Sequence, residues 1–126
     1  MQATLLVAIA AAGSLGAVSR YLLGNLVQAW YPQLPLATFV VNVIGCFGFG
    51  LCWSLGLGRW SPHLHAAVLV GFFGAFTTFS SFAFDCHALW QEGRYAVLFL
   101  DLLGQNVLGL AAMWGGIVAG GGPARG

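Results

Sequence analysis

The sequence predicts an all-α integral membrane protein with four transmembrane helices, the third broken near its centre. Three observations lead there. Hydrophobic residues make up 60% of the chain and charged residues 6%, with a mean hydropathy of +0.88. Soluble domains carry about 25% charged residues, so this chain cannot cover its own surface in water. Secondly, at about 20 residues per helical crossing, 126 residues allow four spans with short loops, or three with longer ones. The third observation is the segment 71–82, GFFGAFTTFSSF, which sets four hydroxyls, two glycines and five phenylalanines together. A plain lipid-facing helix needs none of those hydroxyls. Polar or non-helical backbone is tolerated at membrane depth only where it is buried in protein or lines a watery path. The segment therefore marks a site or a pathway rather than an anchor.

Charges, aromatics and prolines set the boundaries of each element. The first span covers about 3–29: residues 3–19 hold no charge, Arg20 closes that run, and Trp30-Tyr31-Pro32 ends the helix. An aromatic pair beside a proline is what a membrane–water interface selects. Small residues at Ala10-Ala11-Ala12-Gly13 imitate a signal-peptide cleavage site, but no Lys or Arg precedes the apolar run, which continues past it. That argues for a retained span. The second span covers about 36–57 and leads into the turn Gly58-Arg59-Trp60-Ser61-Pro62-His63. The third covers about 64–90, with the hydroxyl-rich passage in its middle. After Gln91-Glu92-Gly93-Arg94-Tyr95, a fourth runs over about 96–119, and residues 120–126 form a Gly-rich tail expected to be flexible. No room is left for a soluble domain, so 1–126 reads as a single transmembrane domain.

The basic inventory is four arginines and no lysine. Four spans place Arg59 and Arg125 on one side and Arg20 and Arg94 on the other, a balance that gives no orientation. Either the sample is too small to carry a signal, or the chain inserts both ways up and pairs as an antiparallel, dual-topology homodimer. Small residues at helix-packing spacing, such as Gly13 with Ala17 and Gly71 with Ala75, allow close approach of helices in lipid. Cys46, Cys52 and Cys86 are odd in number and lack CxxC spacing, which reads as small buried residues. No basic cluster suggests nucleic acid as a partner; membrane lipid is the expected surroundings.

The candidate functional residues follow from hydrogen-bonding capacity. Asn42 can donate two bonds and accept two, which is costly to leave unsatisfied in hydrocarbon. It serves either as an interhelical bond or as an amide donor facing a pore, and Thr38 one turn earlier extends its face. Thr77, Thr78, Ser80 and Ser81 can divert the helical ladder, and Gly74 just before them favours a local break. A break releases carbonyl oxygens, which suit a hard cation such as Na+. Two copies meeting on a twofold axis would double the oxygens, making a structural cation site at a dimer interface. Phe76, Phe79 and Phe82 repeat every third residue. They are core packing, or they turn positive ring edges towards an anion with a hold weak enough to permit conduction. Arg20 either snorkels to the interface or lends positive potential to a vestibule. Asp101, within the fourth span, reads either as an intramembrane proton or ion ligand or, being about two turns beyond Arg94, as interfacial or salt-bridged, which is the expected case, and Asp85 lies past the break. His63 and His65 are spaced too closely off a helix to make a convincing metal site. No Ser-His-Asp order, paired carboxylates, HExxH or phosphate loop is present, which excludes the common enzyme classes.

Three blocks are similar to the CrcB/Fluc fluoride channels: Gly16-Ala17-x-x-Arg20-Tyr21, Thr38-x-x-Val41-Asn42-x-x-Gly45, and Gly71-Phe72-x-Gly74-x-x-Thr77-Thr78-Phe79-Ser80-x-Phe82. The resemblance covers nearly the whole chain. It implies a dual-topology dimer in the bacterial inner membrane, with two pores for passive fluoride export that protects against fluoride toxicity. It implies that the carbonyls of Gly74 and Thr77 hold a structural, untransported Na+ shared by both subunits. Phe79 and Phe82 become the ring-edge residues, Asn42 a donor, Ser80 and Ser81 the polar track, and Arg20, Thr38 and Thr78 vestibule or structural residues. Ser81 stands where the family usually has threonine, which preserves the hydroxyl. In the fourth span, where the family tends to place hydroxyls, this chain has Gln105 and Asn106, and no residue is carried over. The competing readings are a small proton-coupled multidrug exporter and a purely structural membrane subunit. The exporter typically needs an acidic residue in its first span, and residues 1–29 contain none.

Overall fold

A computed structural model describes residues 2–122. The end of the expected flexible tail, including Arg125, lies outside the described residues. The chain is a multi-pass membrane protein with four apolar helices long enough to cross a bilayer: Gln2–Trp30, Leu36–Gly56, Pro62–Gln91 and Tyr95–Ala119. The first two are α1 and α2. The third is segmented into α3 (Pro62–Ala66), a π-helical stretch (Ala67–Phe73), a single turn α4 (Gly74–Phe76) and α5 (Phe79–Gln91). The fourth is α6.

Local chemistry sets the ends. Ser61 caps α3 by accepting from the Leu64 N–H at 3.2 Å, and Pro62 occupies the first turn, where no N–H is needed. Gly58 and Gly93 turn two of the three connections between spans with φ of +67° and +70°, a region that L side chains avoid. Arg94 reaches from the α5–α6 turn to donate to the Gln33 carbonyl at 2.9 Å, tying that turn to the α1–α2 loop at one end of the bundle.

Two packing pairs dominate: α2 against α6, and α1 against the π-helical stretch. Both rely on glycine. In the first, the Cα of Gly50 faces the Met113 carbonyl, and that of Gly116 faces the Phe47 carbonyl. In the second, Gly16 abuts the Phe72 carbonyl, and a methyl added at Gly71 would lie 2.7 Å from the Ile9 carbonyl oxygen. Without a hydrophobic drive between helices in lipid, such close backbone approach is what stabilises association. The π-helical stretch, with the Gly74 N–H donating to the carbonyls of Gly71 and Leu69, lies where this contact is tightest. Nothing in the local sequence foretells it.

The third span bends at Thr77–Thr78. Their backbones are extended, at φ −82°, ψ 154° and φ −149°, ψ 113°. β-Branched residues accept this conformation readily. Upstream of the break, Phe72, Phe73 and Phe76 form an aromatic cluster, with Phe72 and Phe76 stacked at 5.7 Å. Phe76 is thus a core residue. Downstream, Phe79 and Phe82 meet edge to face at 5.5 Å.

Candidate functional site

The break is held open by an asparagine that imitates backbone. The Thr78 N–H donates to Asn42 Oδ1 at 2.8 Å, and Asn42 Nδ2 donates to the Thr78 carbonyl at 3.1 Å. In an unbroken helix, that N–H would donate to the Gly74 carbonyl. One turn on, the Ser81 N–H donates to Thr78 Oγ1 at 3.2 Å instead of to the Thr77 carbonyl. The carbonyls deprived of their helical donors therefore include those of Gly74 and Thr77. A third, that of Ala75, accepts from Arg20 Nε at 3.1 Å. Thr77 turns inward, its N–H and hydroxyl both donating to the Phe73 carbonyl at 3.1 and 3.0 Å.

Thr78 is the hub. Its hydroxyl caps α5 and bonds the Ser81 hydroxyl at 3.1 Å and that of Ser80 at 3.2 Å. It also separates two hollows. The larger, about 230 Å³, is lined by Asn42, Cys46, Thr77, Thr78, Phe79, Phe82, Gln105 and Asn106. The smaller, about 80 Å³, brings together Arg20, Thr38, Thr78 and Ser81. Most of the residues singled out in the sequence thus divide between two faces of one break, while Gly74 and Ser80 line neither hollow. Ser80 is exposed. Phe82 is buried at 7% exposure while Phe79 is 79% exposed, so the Phe79 ring stands out from the chain's own surface.

The fourth span contributes more than its sequence suggested. Asn42 Nδ2 donates to Gln105 Oε1 at 2.8 Å, and Gln105 Nε2 donates to Asp101 Oδ1 at 3.1 Å. Asp101 is therefore not paired with Arg94. It is 6% exposed, whereas Arg94 pairs with Glu92 at 3.3 Å. Arg94 is captured by the turn beside it and by Gln33, which leaves the acid to its own helix. The available signal was the one-turn spacing of Asp101 and Gln105. Cys46 and Asn106 also line the larger hollow. Among the described residues, no three His, Cys, Asp or Glu side chains gather to hold a metal.

A four-span helical protein whose broken third helix opens a cavity lined by polar side chains and two phenylalanines has the make-up of a membrane protein that handles small solutes. The sequence profile "CrcB-like protein, Camphor Resistance (CrcB)" matches residues 7–117, and this chain belongs to the CrcB family. It is 44% identical over 118 residues to a protein of Nitratidesulfovibrio vulgaris named fluoride-specific ion channel FluC, covering 91% of this chain and 95% of that one. Similar proteins of the same name occur in Solidesulfovibrio magneticus (43% identity, covering 89% and 92%) and Desulforapulum autotrophicum (44%, covering 89% and 92%).

Proposed function

We propose that the chain is a fluoride-selective channel, not an enzyme, which lets fluoride leave the cell passively. The observation that carries this reading is the polar and aromatic cavity at the helix break, in a chain that aligns along nearly its whole length with proteins named fluoride channels. A small anion needs partners that replace part of its hydration without holding it fast. Phe79 and Phe82 supply ring edges, and Ser80 and Ser81 supply hydroxyls. Asn42 supplies an amide donor that exchanges its Gln105 partner for the passing ion. The N-terminus of α5 faces the same region, and the positive end of a half-helix favours an anion.

Because Phe79 projects from the chain's own surface, we propose that a second copy in the opposite orientation completes the pathway. The balanced arginines favour such an antiparallel pair. Na+ fits the break: the Gly74 and Thr77 carbonyls lose their helical donors, and neutral oxygens are the ligands a hard cation takes. Bound there, the ion would supply fixed positive charge and hold the break open. Arg20, Thr38 and Thr78 shape the adjoining hollow.

The test is ion efflux from liposomes holding the purified protein. Rapid fluoride loss with little chloride loss, and without a proton gradient, is expected. Efflux that depends on a proton gradient would instead indicate a coupled exporter, and absence of efflux a structural subunit.

A further inference from the structure

We infer that Asp101 is a positioning residue for the ion pathway: it is the terminal acceptor of a relay, Thr78–Asn42–Gln105–Asp101, that fixes the orientation of both side-chain amides beside the cavity. This rests on the reading of that cavity as the route of the ion.

The direction of every bond in the relay is forced from one end. A backbone N–H can only donate and a carbonyl can only accept. Thr78 therefore dictates that Asn42 presents Oδ1 to its N–H and Nδ2 to its carbonyl. Asn42 Nδ2 then has one hydrogen left, so the Gln105 atom 2.8 Å away is the oxygen. Gln105 accordingly turns its NH2 towards position 101, where only an acceptor satisfies it. Asp101 Oδ1 takes that bond at 3.1 Å.

Asp101 makes no other side-chain hydrogen bond or ion pair among the described residues. It is 94% removed from solvent by its 6% exposure, and its second oxygen, Oδ2, is buried with no hydrogen-bond partner. Helices α2 and α5 pack against α6. From α5, Asp85 and Cys86 come within electrostatic reach of Asp101. From α2, whose sequence holds no charged residue, the neighbouring hollow receives Leu36 and Phe39. Among the described residues no cation forms an ion pair with the carboxyl: Arg20 is bound to Ala75, and Arg94 to Glu92 and Gln33. An acid in such surroundings is costly to keep. Its acceptor role explains its presence without calling on its charge. Oδ1 accepts from Gln105 whether the carboxyl is ionised or carries its proton on Oδ2, so the role does not vary with pH.

The experiment compares Asp101→Asn, which keeps an acceptor, with Asp101→Leu, which removes it, and adds Gln105→Met and the double variant Asp101→Leu/Gln105→Met. Fluoride efflux from liposomes should fall about tenfold in Asp101→Leu, the scale of one buried hydrogen bond lost. Asp101→Asn should stay within about threefold of the parent, with an unaltered pH profile. The double variant should lose no more than the worse single, because partners in one relay are not additive. Equal activity of all variants, multiplied losses in the double, or an Asn variant as poor as the Leu variant would overturn the proposal. A pH profile displaced by Asp101→Asn would do the same, by showing that charge matters.

A second measurement does not depend on transport. In protein with 15N-labelled Asn and Gln, the Asn42 side-chain amide resonances should move in Asp101→Leu and hold in Asp101→Asn. Unmoved resonances in both variants reject the relay whatever the ion conducted. A parent protein that passes no fluoride while these shifts appear would reject the channel reading and leave the relay standing. Should Asp101→Leu fail to assemble, Asp101→Asn and Gln105→Met still decide: the first must match the parent and the second must not.

Discussion

Asn42 performs a task that calls for a side-chain amide. It offers one acceptor and two donors to a stretch of backbone that has left its helix. Asn42→Leu leaves the Thr78 N–H and carbonyl without those partners, at a cost of about 1–3 kcal/mol for each buried group so abandoned. A lower melting temperature in detergent and slower fluoride efflux are expected together. Asn42→Asp is the sharper comparison. One carboxylate oxygen would still accept from Thr78, but the other would face the Thr78 carbonyl and Gln105 Oε1, three acceptors with no hydrogen between them. Asn42→Asp should therefore be at least as damaging as Asn42→Leu when melting is followed by circular dichroism. Recovery in the Asp variant would show that polarity alone suffices. Phe79 and Phe82 separate in a different way. Replacement by Ile should suppress efflux at both positions, and Phe82→Ile, at the ring buried within its own chain, should also lower the melting temperature.

At the scale of elements, the third span joins a helix that ends to a helix that begins, with two extended threonines between them. Thr78 starts the second of these by capping it, a bond worth about 1 kcal/mol. Thr78→Ser keeps the hydroxyl, whereas Thr78→Val keeps the shape and loses the cap together with the Ser80 and Ser81 contacts. Thermal melting should rank the parent and Thr78→Ser together, with Thr78→Val below both; a Val variant as stable as the parent would remove the hydroxyl from the account. This part of the fold was legible beforehand, because hydroxyls clustered in an apolar span and a glycine beside them have few other uses. The four spans were legible from hydropathy and the placement of charges. The π-helical stretch was not, since it lies against a tertiary contact in which Gly16 and Gly71 let α1 and the third span meet backbone to backbone. The bonds of Gln105 were hidden for a similar reason. Asn42 and Gln105 are 63 residues apart, and only the α2–α6 packing brings them together. Asp101 was misread because sequence proximity made Arg94 its natural partner, while the turn geometry directs that arginine elsewhere.

Considered as a whole molecule, a single chain exposes features that a bilayer alone does not explain. Phe79, at 79% exposure, stands beside a cavity lined by Asn42, Thr77 and Thr78. An aromatic ring at the rim of a polar cavity gains nothing from lipid that another apolar residue would not give. It gains something specific when a second copy places polar groups against its edge. An antiparallel pair would also bring two sets of Gly74 and Thr77 carbonyls towards one axis, turning oxygens too few for a cation in one chain into enough for Na+ in two. This makes assembly and sodium a single prediction. Purified in Na+, the protein should run as a dimer with terminal tags found on both sides of the membrane. Exchange of Na+ for a bulky organic cation should lower the melting temperature, weaken the pair and slow fluoride efflux in step. The three readouts are linked by mass action, since a ligand bound only to the assembled form stabilises it by an amount that rises with the logarithm of its concentration. A chain that stays monomeric in Na+, or a dimer whose melting temperature and efflux ignore Na+ removal, would detach the broken helix from any shared cation. The extended Thr77–Thr78 backbone would then be held by bonds within one chain, those of Asn42 to Thr78 and of Thr77 to the Phe73 carbonyl.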